Sequence, residues 1–302
     1  MKAAHIFLIA ALTAVCSCEK PLIENDSTTA ANELPNLTLS VRGFRIVPFD
    51  VTRSETTIGD YCTKLNFVVY QEGKKLKSVN QQSTDSSFGR VTLSVEPGTY
   101  QVLVLAHSAK NNPVLSDAKK IQFTNDDGYT DTFYNYETVV VGETATEREM
   151  ELDRCTAMFR FITTDNVPAN VQRIRFYYTG GSGALDATTG LGCVNSKQVS
   201  FFDVTDDMRD KPLRLETYTI PKTSSSTLKV TVSAYNESNT VTHELELASV
   251  PIEMNRITEY TGAFFDRSSS DNGSDNGNNN NDTPYYSIRL NTEWGGILSG
   301  TF

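Results

Sequence analysis

Apolar and polar residues alternate along most of the chain, which is the pattern of a β-strand with one buried face. In the first half the alternation is clearest at Val91, Leu93 and Val95, which are followed by the turn residues Pro97 and Gly98. Runs of this kind separated by turn residues are typical of β-hairpins. Strands are therefore predicted around residues 37–41, 65–69, 91–95, 100–104 and 134–141.

The second half repeats the pattern. Its clearest run is Leu228, Val230, Val232 and Ala234, and no stretch of twelve residues has convincing helical spacing. Strands are predicted around residues 157–161, 174–178, 228–234 and 245–247, and residues 180–192 are expected to form a glycine-rich loop.

Two halves of this size, each rich in short alternating strands, predict an all-β protein. We expect two tandem antiparallel β-sandwich domains, over residues 36–146 and 147–302. The polar stretch at 142–148 is the expected boundary between them.

The N-terminus has the pattern of an export signal. A single lysine, Lys2, precedes an apolar run over residues 6–15, in which Thr13 is the one polar member. This run is well short of the roughly 20 apolar residues that a membrane-spanning helix needs. Residues 1–18 are therefore predicted to be a signal peptide, and residues 19–35 a polar tether.

The apolar run ends at two cysteines, either of which could carry a lipid. A lipoprotein signal peptidase requires a small residue before its cysteine, and Ser17 meets this requirement for Cys18. Bulky Val15 precedes Cys16, which makes Cys16 the weaker candidate. The expectation is a palmitate-bearing lipoprotein that begins at Cys18.

The last part of the chain changes composition twice. Residues 267–283 are almost entirely Ser, Asp, Asn and Gly, which predicts a flexible insertion. A final strand follows, in which Tyr286, Ile288, Leu290 and Trp294 share one face.

The charge of the chain restricts the kind of macromolecule that it can bind. The formal net charge is −10 and no basic cluster occurs in the sequence, which argues against a nucleic-acid partner.

If Cys18 carries lipid, the remaining thiols are Cys62, Cys155 and Cys193, so at most one disulfide can form. The candidate pair is Cys155 with Cys193, and buried free thiols are the alternative.

No motif for catalysis, metal binding or cofactor binding emerges. His107 and His243 lie at or beside strand ends, and neither has a partner at metal-ligand spacing. Gly181-Ser182-Gly183 lacks the G-x-S-x-G spacing of a nucleophile elbow. The turn at residues 125–128 lacks the first ligand of a calcium loop. We therefore expect no enzyme activity, no metal and no cofactor.

A set of short motifs, spread over most of the chain, carries a resemblance to one family. In chain order they are Ser17-Cys18-Glu19, Lys64-Leu65-Asn66-Phe67-Val68-Val69-Tyr70 with Gly73, Val95-Glu96-Pro97-Gly98-Thr99-Tyr100-Gln101-Val102, Leu152-Asp153-Arg154-Cys155-Thr156-Ala157, Val167-Pro168-Ala169-Asn170-Val171, Asn255-Arg256-Ile257-Thr258 and Trp294. Their order and spacing resemble the fimbrillin and fimbrial-anchor lipoproteins of Bacteroidota, the FimA/FimB and Mfa-type subunits. The resemblance implies two transthyretin-like β-sandwiches in a non-enzymatic subunit at the outer-membrane surface, with other fimbrial subunits as partners.

The resemblance also implies a route of assembly. In polymerising members an arginine-specific protease removes the first strand, and a neighbour's strand fills the groove. Here the first strand is predicted over residues 37–51, with Arg53 just after it and with Arg42 and Arg45 inside it. The candidate donor strand contains Tyr286, Ile288, Leu290 and Trp294, whose alternation suits a groove-filling strand. An anchor would keep its first strand and its lipid, and an anchor or accessory subunit is the favoured interpretation over a structural stalk subunit.

A glycan-binding surface lipoprotein is the alternative function. Such proteins bind sugars with exposed aromatic side chains, and Tyr134, Tyr136, Tyr177 and Tyr178 are the candidates for a binding platform. Tyrosine is also common in strands, so these four residues could simply be strand residues.

Overall fold

The computed structural model describes residues 35–44, 57–124, 129–266 and 287–289, and these are built from strands. They contain eighteen strands and two short 3₁₀ turns, Ile58–Asp60 and Asp206–Met208, and within these ranges there is no α-helix. The prediction of an all-β fold is confirmed.

The first eight strands precede residue 155. They are β1 (Leu37–Phe44), β2 (Lys64–Gln71), β3 (Lys74–Gln82), β4 (Arg90–Leu93), β5 (Gly98–His107), β6 (Ile121–Gln122), β7 (Thr132–Val141) and β8 (Thr146–Arg154).

Ten strands follow. They are β9 (Ala157–Thr163), β10 (Arg173–Thr179), β11 (Ala184–Asp186), β12 (Leu191–Gly192), β13 (Gln198–Asp203), β14 (Arg214–Thr219), β15 (Ser225–Tyr235), β16 (Val241–Glu253), β17 (Ile257–Gly262) and β18 (Ser287–Arg289).

The first sandwich is one sheet folded over on itself, with strand order β3-β2-β5-β7-β8-β1-β4. β7 and β8 are paired at only two positions, Phe133 with Arg154 and Tyr134 with Asp153, so the sheet opens there into two layers. Buried side chains from both layers meet in one core, with Leu37 and Leu39 from β1 packed in the same cluster as Phe67 from β2.

The second sandwich packs the sheet β13-β10-β15-β16 against the sheet β14-β9-β17-β18. Alternating residues of the facing strands fill its core, including Phe159 and Phe161 from β9 and Phe176 from β10. The aromatic rings of Phe161 and Phe176 meet edge to face, with centroids 5.9 Å apart.

Each sandwich contains one parallel pair of strands among antiparallel ones. β1 lies parallel to β8, and β9 lies parallel to β17. Alternation along a strand reports which face is buried and not which strand lies alongside, so these two pairings could not be read from the sequence.

The change from the first core to the second comes after β8. The expected division between residues 146 and 147 lies at the start of this strand, but Met150 and Leu152 of β8 are buried in the first core. The polar stretch at 142–148 includes the turn of the β7–β8 hairpin. Together the described residues form one compact unit.

Candidate functional site

β1, the first of the described strands, is an interior strand of its sheet. It lies between β8 on one side and β4 on the other, and β4 has β1 as its one strand partner within the described residues. Leu37 and Leu39 are fully buried, and the ring of Phe44 lies 4.3 Å from that of Phe133. Removal of β1 would therefore leave β4 unpaired and open the first core.

Only one of the three arginines predicted near the cleavage region lies in the described part of the chain. Arg42 is exposed, and the pairing with β8 passes from Val41 opposite Met150 to Gly43 opposite Glu151, so Arg42 is the extra residue of a β-bulge. The described part of β1 reaches Phe44, and residues 45–51 of the predicted strand lie outside the described residues. Arg45 and Arg53 lie outside the described residues.

The C-terminal strand β18 lies at the edge of the second sandwich. It pairs antiparallel with β17, with Ile288 opposite Tyr260 and Arg289 opposite Glu259. The other residues of the candidate donor strand, Tyr286, Leu290 and Trp294, lie outside the described residues. Cys18 and the insertion at 267–283 also lie outside them.

His107 is buried inside a network of amide side chains. Its Nδ1 accepts from the Ala109 amide at 3.1 Å, so the proton is on Nε2, which donates to Asn66 Oδ1 at 3.0 Å. Burial, and secondarily the charge of Lys64, lowers the pKa of His107 to about 4. This neutral imidazole holds the loop that follows β5.

His243 and Ser182 are likewise engaged in packing and local hydrogen bonds. The His243 ring is 5.4 Å from the ring of Phe265 in the second sandwich, whereas His107 is in the first. Ser182 Oγ is buried, donates to the Ala184 carbonyl at 2.7 Å and accepts from the Val194 amide at 3.2 Å. Across the ranges that the structure describes, no group of three or more His, Cys, Asp and Glu side chains is placed to hold a metal ion.

The cysteines of the described chain are free thiols. Cys62 and Cys155 are buried and Cys193 is exposed, so the suggested disulfide between Cys155 and Cys193 is wrong. The alternative of buried thiols holds for Cys62 and Cys155, and burial raises the pKa of both. Cys155 is fixed in its place by an Sγ contact of 3.4 Å with the Thr132 carbonyl.

The four tyrosines considered for a glycan platform do not share one surface. Tyr178 is buried in the second core, where its hydroxyl donates to the Tyr218 carbonyl at 2.8 Å. Tyr134 and Tyr136 pack against an apolar cluster shared by the two sandwiches. Tyr177 lies, partly exposed, on the outer face of β10.

The two sandwiches meet at a buried arginine. The Arg154 guanidinium donates from Nε and Nη2 to the two carboxylate oxygens of Asp131, both at 2.8 Å, and from Nη1 to Asn255 Oδ1 at 2.7 Å. Its Cζ lies 4.7 Å from the centroid of the Phe133 ring. Thr156 Oγ1 also donates to Asp131 Oδ1, at 2.9 Å. The network joins the end of β8 to the turn between β16 and β17.

A third apolar cluster lies beside this network and has members from both sandwiches. Val68 and Leu105 come from the first sandwich, and Leu185 and Ile220 from the second half of the chain. The expected glycine-rich loop at 180–192 contributes β11 and β12, and β11 pairs with β6 to form a small three-stranded sheet.

Glycines allow this close approach. A Cβ atom on Gly183 would collide with the hydroxyl of Tyr129, and one on Gly190 would collide with that of Tyr134. The glycine-rich segment is therefore a packed part of the junction and not a free loop.

Two of the motifs identified in the sequence meet in the Arg154 network, one around Arg154 and the other beginning at Asn255. The sequence offers no sign that they are in contact, because 101 positions separate the two residues. Asp131 belongs to none of the motifs, and nothing in its local sequence indicates that it accepts from Arg154.

Comparison with known proteins assigns these features to a family. The model of the fimbrillin-A associated anchor proteins Mfa1 and Mfa2 matches residues 33–295. The chain belongs to this family. No curated protein matches it in sequence.

Solved structures of similar fold include proteins of Bacteroides and Porphyromonas species. A candidate adhesin of Bacteroides thetaiotaomicron is 11% identical, with a TM-score of 0.50, and the match covers 88% of this chain and 98% of that one. The fimbrial anchor protein Mfa2 of Porphyromonas gingivalis is 12% identical, with a TM-score of 0.42 and coverage of 89% and 98%. A candidate adhesin of Bacteroides ovatus is 14% identical, with a TM-score of 0.46 and coverage of 79% and 88%.

Family membership supports a fimbrial subunit or adhesin role at the cell surface, in association with other fimbrial subunits. The family is one of structural and adhesion proteins and not an enzyme family. Among the described residues, no helix has the length and apolar character to cross a membrane.

Proposed function

We propose that this protein is a fimbrial anchor or accessory subunit. It is held on the outer membrane through lipid on Cys18, and it joins neighbouring subunits by β-strand addition. The observation that carries the anchor role is the integration of β1 into the first sandwich.

β1 supports retention of the N-terminus in three ways. Its ladder with β8 runs from Leu37 to Phe44, its second ladder with β4 runs from Leu37 to Ser40, and two of its leucines are fully buried. Breaking both ladders exposes apolar core and leaves backbone groups unpaired, which is costly. A subunit that keeps β1 also keeps its link to the lipid.

The edge strands of the two sandwiches differ in how well they could take part in strand addition. β3 is an edge strand whose exposed residues include Lys74, Lys75 and Lys77, and lysines on an edge oppose pairing with another strand. In the second sandwich, β17 pairs with Ser287, Ile288 and Arg289 of β18 along the described part of that segment. In this proposal the segment from 286 to 294 leaves this edge and inserts into a neighbour.

Treatment of the purified protein with an arginine-specific protease tests the anchor role. We expect β1 to remain with the folded body and no SDS-resistant ladder to form. Cleavage at Arg42, Arg45 or Arg53 followed by SDS-resistant oligomers would identify a polymerising stalk subunit instead. Mass spectrometry distinguishes the three cuts.

Co-purification with fimbrial subunits from the same strain tests the strand-addition step. Deletion of residues 284–302 should abolish the complex, and so should Ile288→Asp, which places a charge on the apolar face of the predicted donor strand. Ser287→Asp is the matched control on the other face. Complexes that survive both the deletion and Ile288→Asp would exclude this segment as the donor.

A further inference from the structure

The outer face of the sheet β13-β10-β15-β16 carries aromatic rings and arginines that the fold does not need for its core. We call the surface formed by Arg173, Arg175, Tyr177, Phe201, Asp203 and Tyr235 the aromatic–arginine face. Its residues come from three neighbouring strands, with Arg173 opposite both Asp203 and Tyr235, and Arg175 opposite Phe201.

Phe201 is the apolar centre of this face. Its side chain is on the edge strand β13 and is 55% exposed. The Arg173 guanidinium lies 5.6 Å from the ring centroid, and its Nε donates to Asp203 Oδ1 at 3.1 Å. An exposed ring thus has a donor group and an acceptor group held beside it.

A second pair repeats the arrangement one strand away. Arg175 lies 5.5 Å from the centroid of the Tyr235 ring, and its Nη2 donates to Ser233 Oγ at 3.4 Å. Ser233 in turn donates to Glu244 Oε2 at 2.9 Å. Arg175 Nε is buried and has no hydrogen-bond partner among the described residues. The face therefore contains one donor that lacks an acceptor.

The charges of this face balance. The two arginines of the face are balanced by Asp203 on the face and by Glu244, which lies next to it and accepts from Ser233, although the whole chain carries a net charge of −10. An anionic ligand would have to compete with Asp203 for the Arg173 guanidinium, and a cationic ligand would meet two arginines. A neutral ligand that offers both hydrogen-bond donors and acceptors suits the face best.

The shape favours a small ligand over a protein surface. Phe201 on β13 and Val241 on β16, which is 44% exposed, lie at opposite edges of the four-stranded sheet, with polar side chains between them. A protein interface would require a continuous apolar centre and roughly 1,000 Å² or more of buried area. One open ring with fixed polar groups beside it instead suits a small ligand that stacks on the ring and hydrogen-bonds at its rim.

We propose that the aromatic–arginine face binds a neutral carbohydrate. The apolar face of a pyranose ring lies on Phe201, and the hydroxyls at its rim contact the Arg173 guanidinium and the Asp203 carboxylate. A second sugar unit reaches Tyr177 and Arg175. The Arg173 guanidinium is held by Phe201 and Asp203, and the Arg175 guanidinium by Tyr235 and Ser233. Because both groups are already held in place, little side-chain entropy is lost when the sugar binds. This inference goes beyond the proposed anchor function and does not depend on the lipid or on strand addition.

Affinity electrophoresis of the purified protein tests the proposal, with gels that contain mannan, galactan, glucan or heparin, together with an array of neutral and sialylated oligosaccharides. We expect binding to at least one neutral glycan and a loss of at least tenfold in Phe201→Ala and in Arg173→Ala. Phe201→Tyr, which keeps the ring, should retain binding. Val140→Ala, which removes an exposed apolar side chain from β7, is the control and should bind as the wild type does.

Four outcomes would overturn the proposal. Three concern binding: no binding to any neutral glycan, equal binding by Phe201→Ala and the wild type, and binding restricted to heparin or sialylated probes. The fourth is a dimer that disappears in Phe201→Ala, which would make the face a contact between copies of the chain. Melting temperatures of all variants verify that they are folded.

Discussion

Buried polar side chains connect distant parts of this chain. His107 is linked through Asn66 to the neighbouring strand β3, Arg154 crosses the junction, and Asp165 Oδ2 accepts from the amides of Phe264 and Asp266, both at 2.8 Å. Such groups are costly to bury unless they are hydrogen-bonded, so each one favours a single arrangement of its neighbours.

His107 should make the protein sensitive to mild acid. Its pKa is about 4 in the folded protein, against about 6.5 when unfolded. Above pH 6.5 both states are neutral at this site. As the pH is lowered from 6.5 to 4, only the unfolded state gains the proton. The free energy of unfolding therefore decreases on acidification, by a total of about 3 kcal/mol at most. Below pH 4 this contribution is constant.

Urea titrations at a series of pH values measure this effect as the difference between the wild type and His107→Gln. The glutamine amide can replace the donor to Asn66 but does not titrate. We expect the free energy of unfolding of the variant to fall less between pH 6.5 and 4. Parallel pH profiles of the two proteins would contradict the assignment.

Loss of the Arg154 guanidinium should be strongly destabilising. Arg154→Met leaves the Asp131 carboxylate without its two charged donors, which costs about 3 kcal/mol for a buried pair. Arg90→Met is the matched control, because Arg90 and Glu147 form an exposed ion pair, and such pairs are worth less than about 1 kcal/mol. Chemical denaturation of both variants gives the comparison, and equal losses would contradict the proposed role.

At the scale of elements, the glycine-rich segment at 180–192 shows how a loop-like composition can form a packed junction. β11 pairs with β6, and two glycines of this segment lie against tyrosines from the first half of the chain. Glycine is required at these two positions because a Cβ atom would occupy the space that the tyrosine hydroxyls fill.

Gly190 and Gly73 separate the effect of close packing from that of backbone conformation. Both have a positive φ, +75° and +77°, but a Cβ at Gly190 meets the Tyr134 hydroxyl, whereas one at Gly73 meets nothing within 4 Å. Gly73→Ala should cost about 1 kcal/mol for its backbone conformation. Gly190→Ala should cost about 1–3 kcal/mol more because of overpacking. Thermal denaturation of the two variants measures the difference, and equal losses would show that Tyr134 moves aside freely.

At the scale of the whole molecule, the two cores are joined by the third apolar cluster and by the Arg154 network. The described residues form one compact unit, which indicates that the two sandwiches support each other. Such a junction suits the proposed anchor role, in which the subunit would carry load between the membrane and a fimbria.

Calorimetry should therefore record a single unfolding transition for the wild type. Leu185→Ala removes a fully buried side chain from the shared cluster and should split or broaden that transition. Leu228→Ala, the same deletion within the second core, should lower the melting temperature and leave one transition. Two transitions in the wild type would mean that the sandwiches unfold independently.

Membrane attachment is tested at the N-terminus. Cys18→Ala should release the protein from the membrane fraction, because a single acyl cysteine is the proposed anchor. Cys16→Ala should remain attached, and this variant distinguishes the two candidate cysteines. The reverse result, or a mature N-terminus other than residue 18, would contradict the prediction.

The all-β class, the position of many strands and the family can be read from the sequence, because alternation and short motifs are local properties of the chain. The folded structure was needed to show which strands are neighbours, that Cys155 and Cys193 are unpaired, and that β8 belongs to the first sandwich. It also decided that Arg154 meets Asn255 and that Phe201 stands exposed beside Arg173. These features depend on contacts between residues that are tens of positions apart, and the pattern along one strand does not record what packs against it.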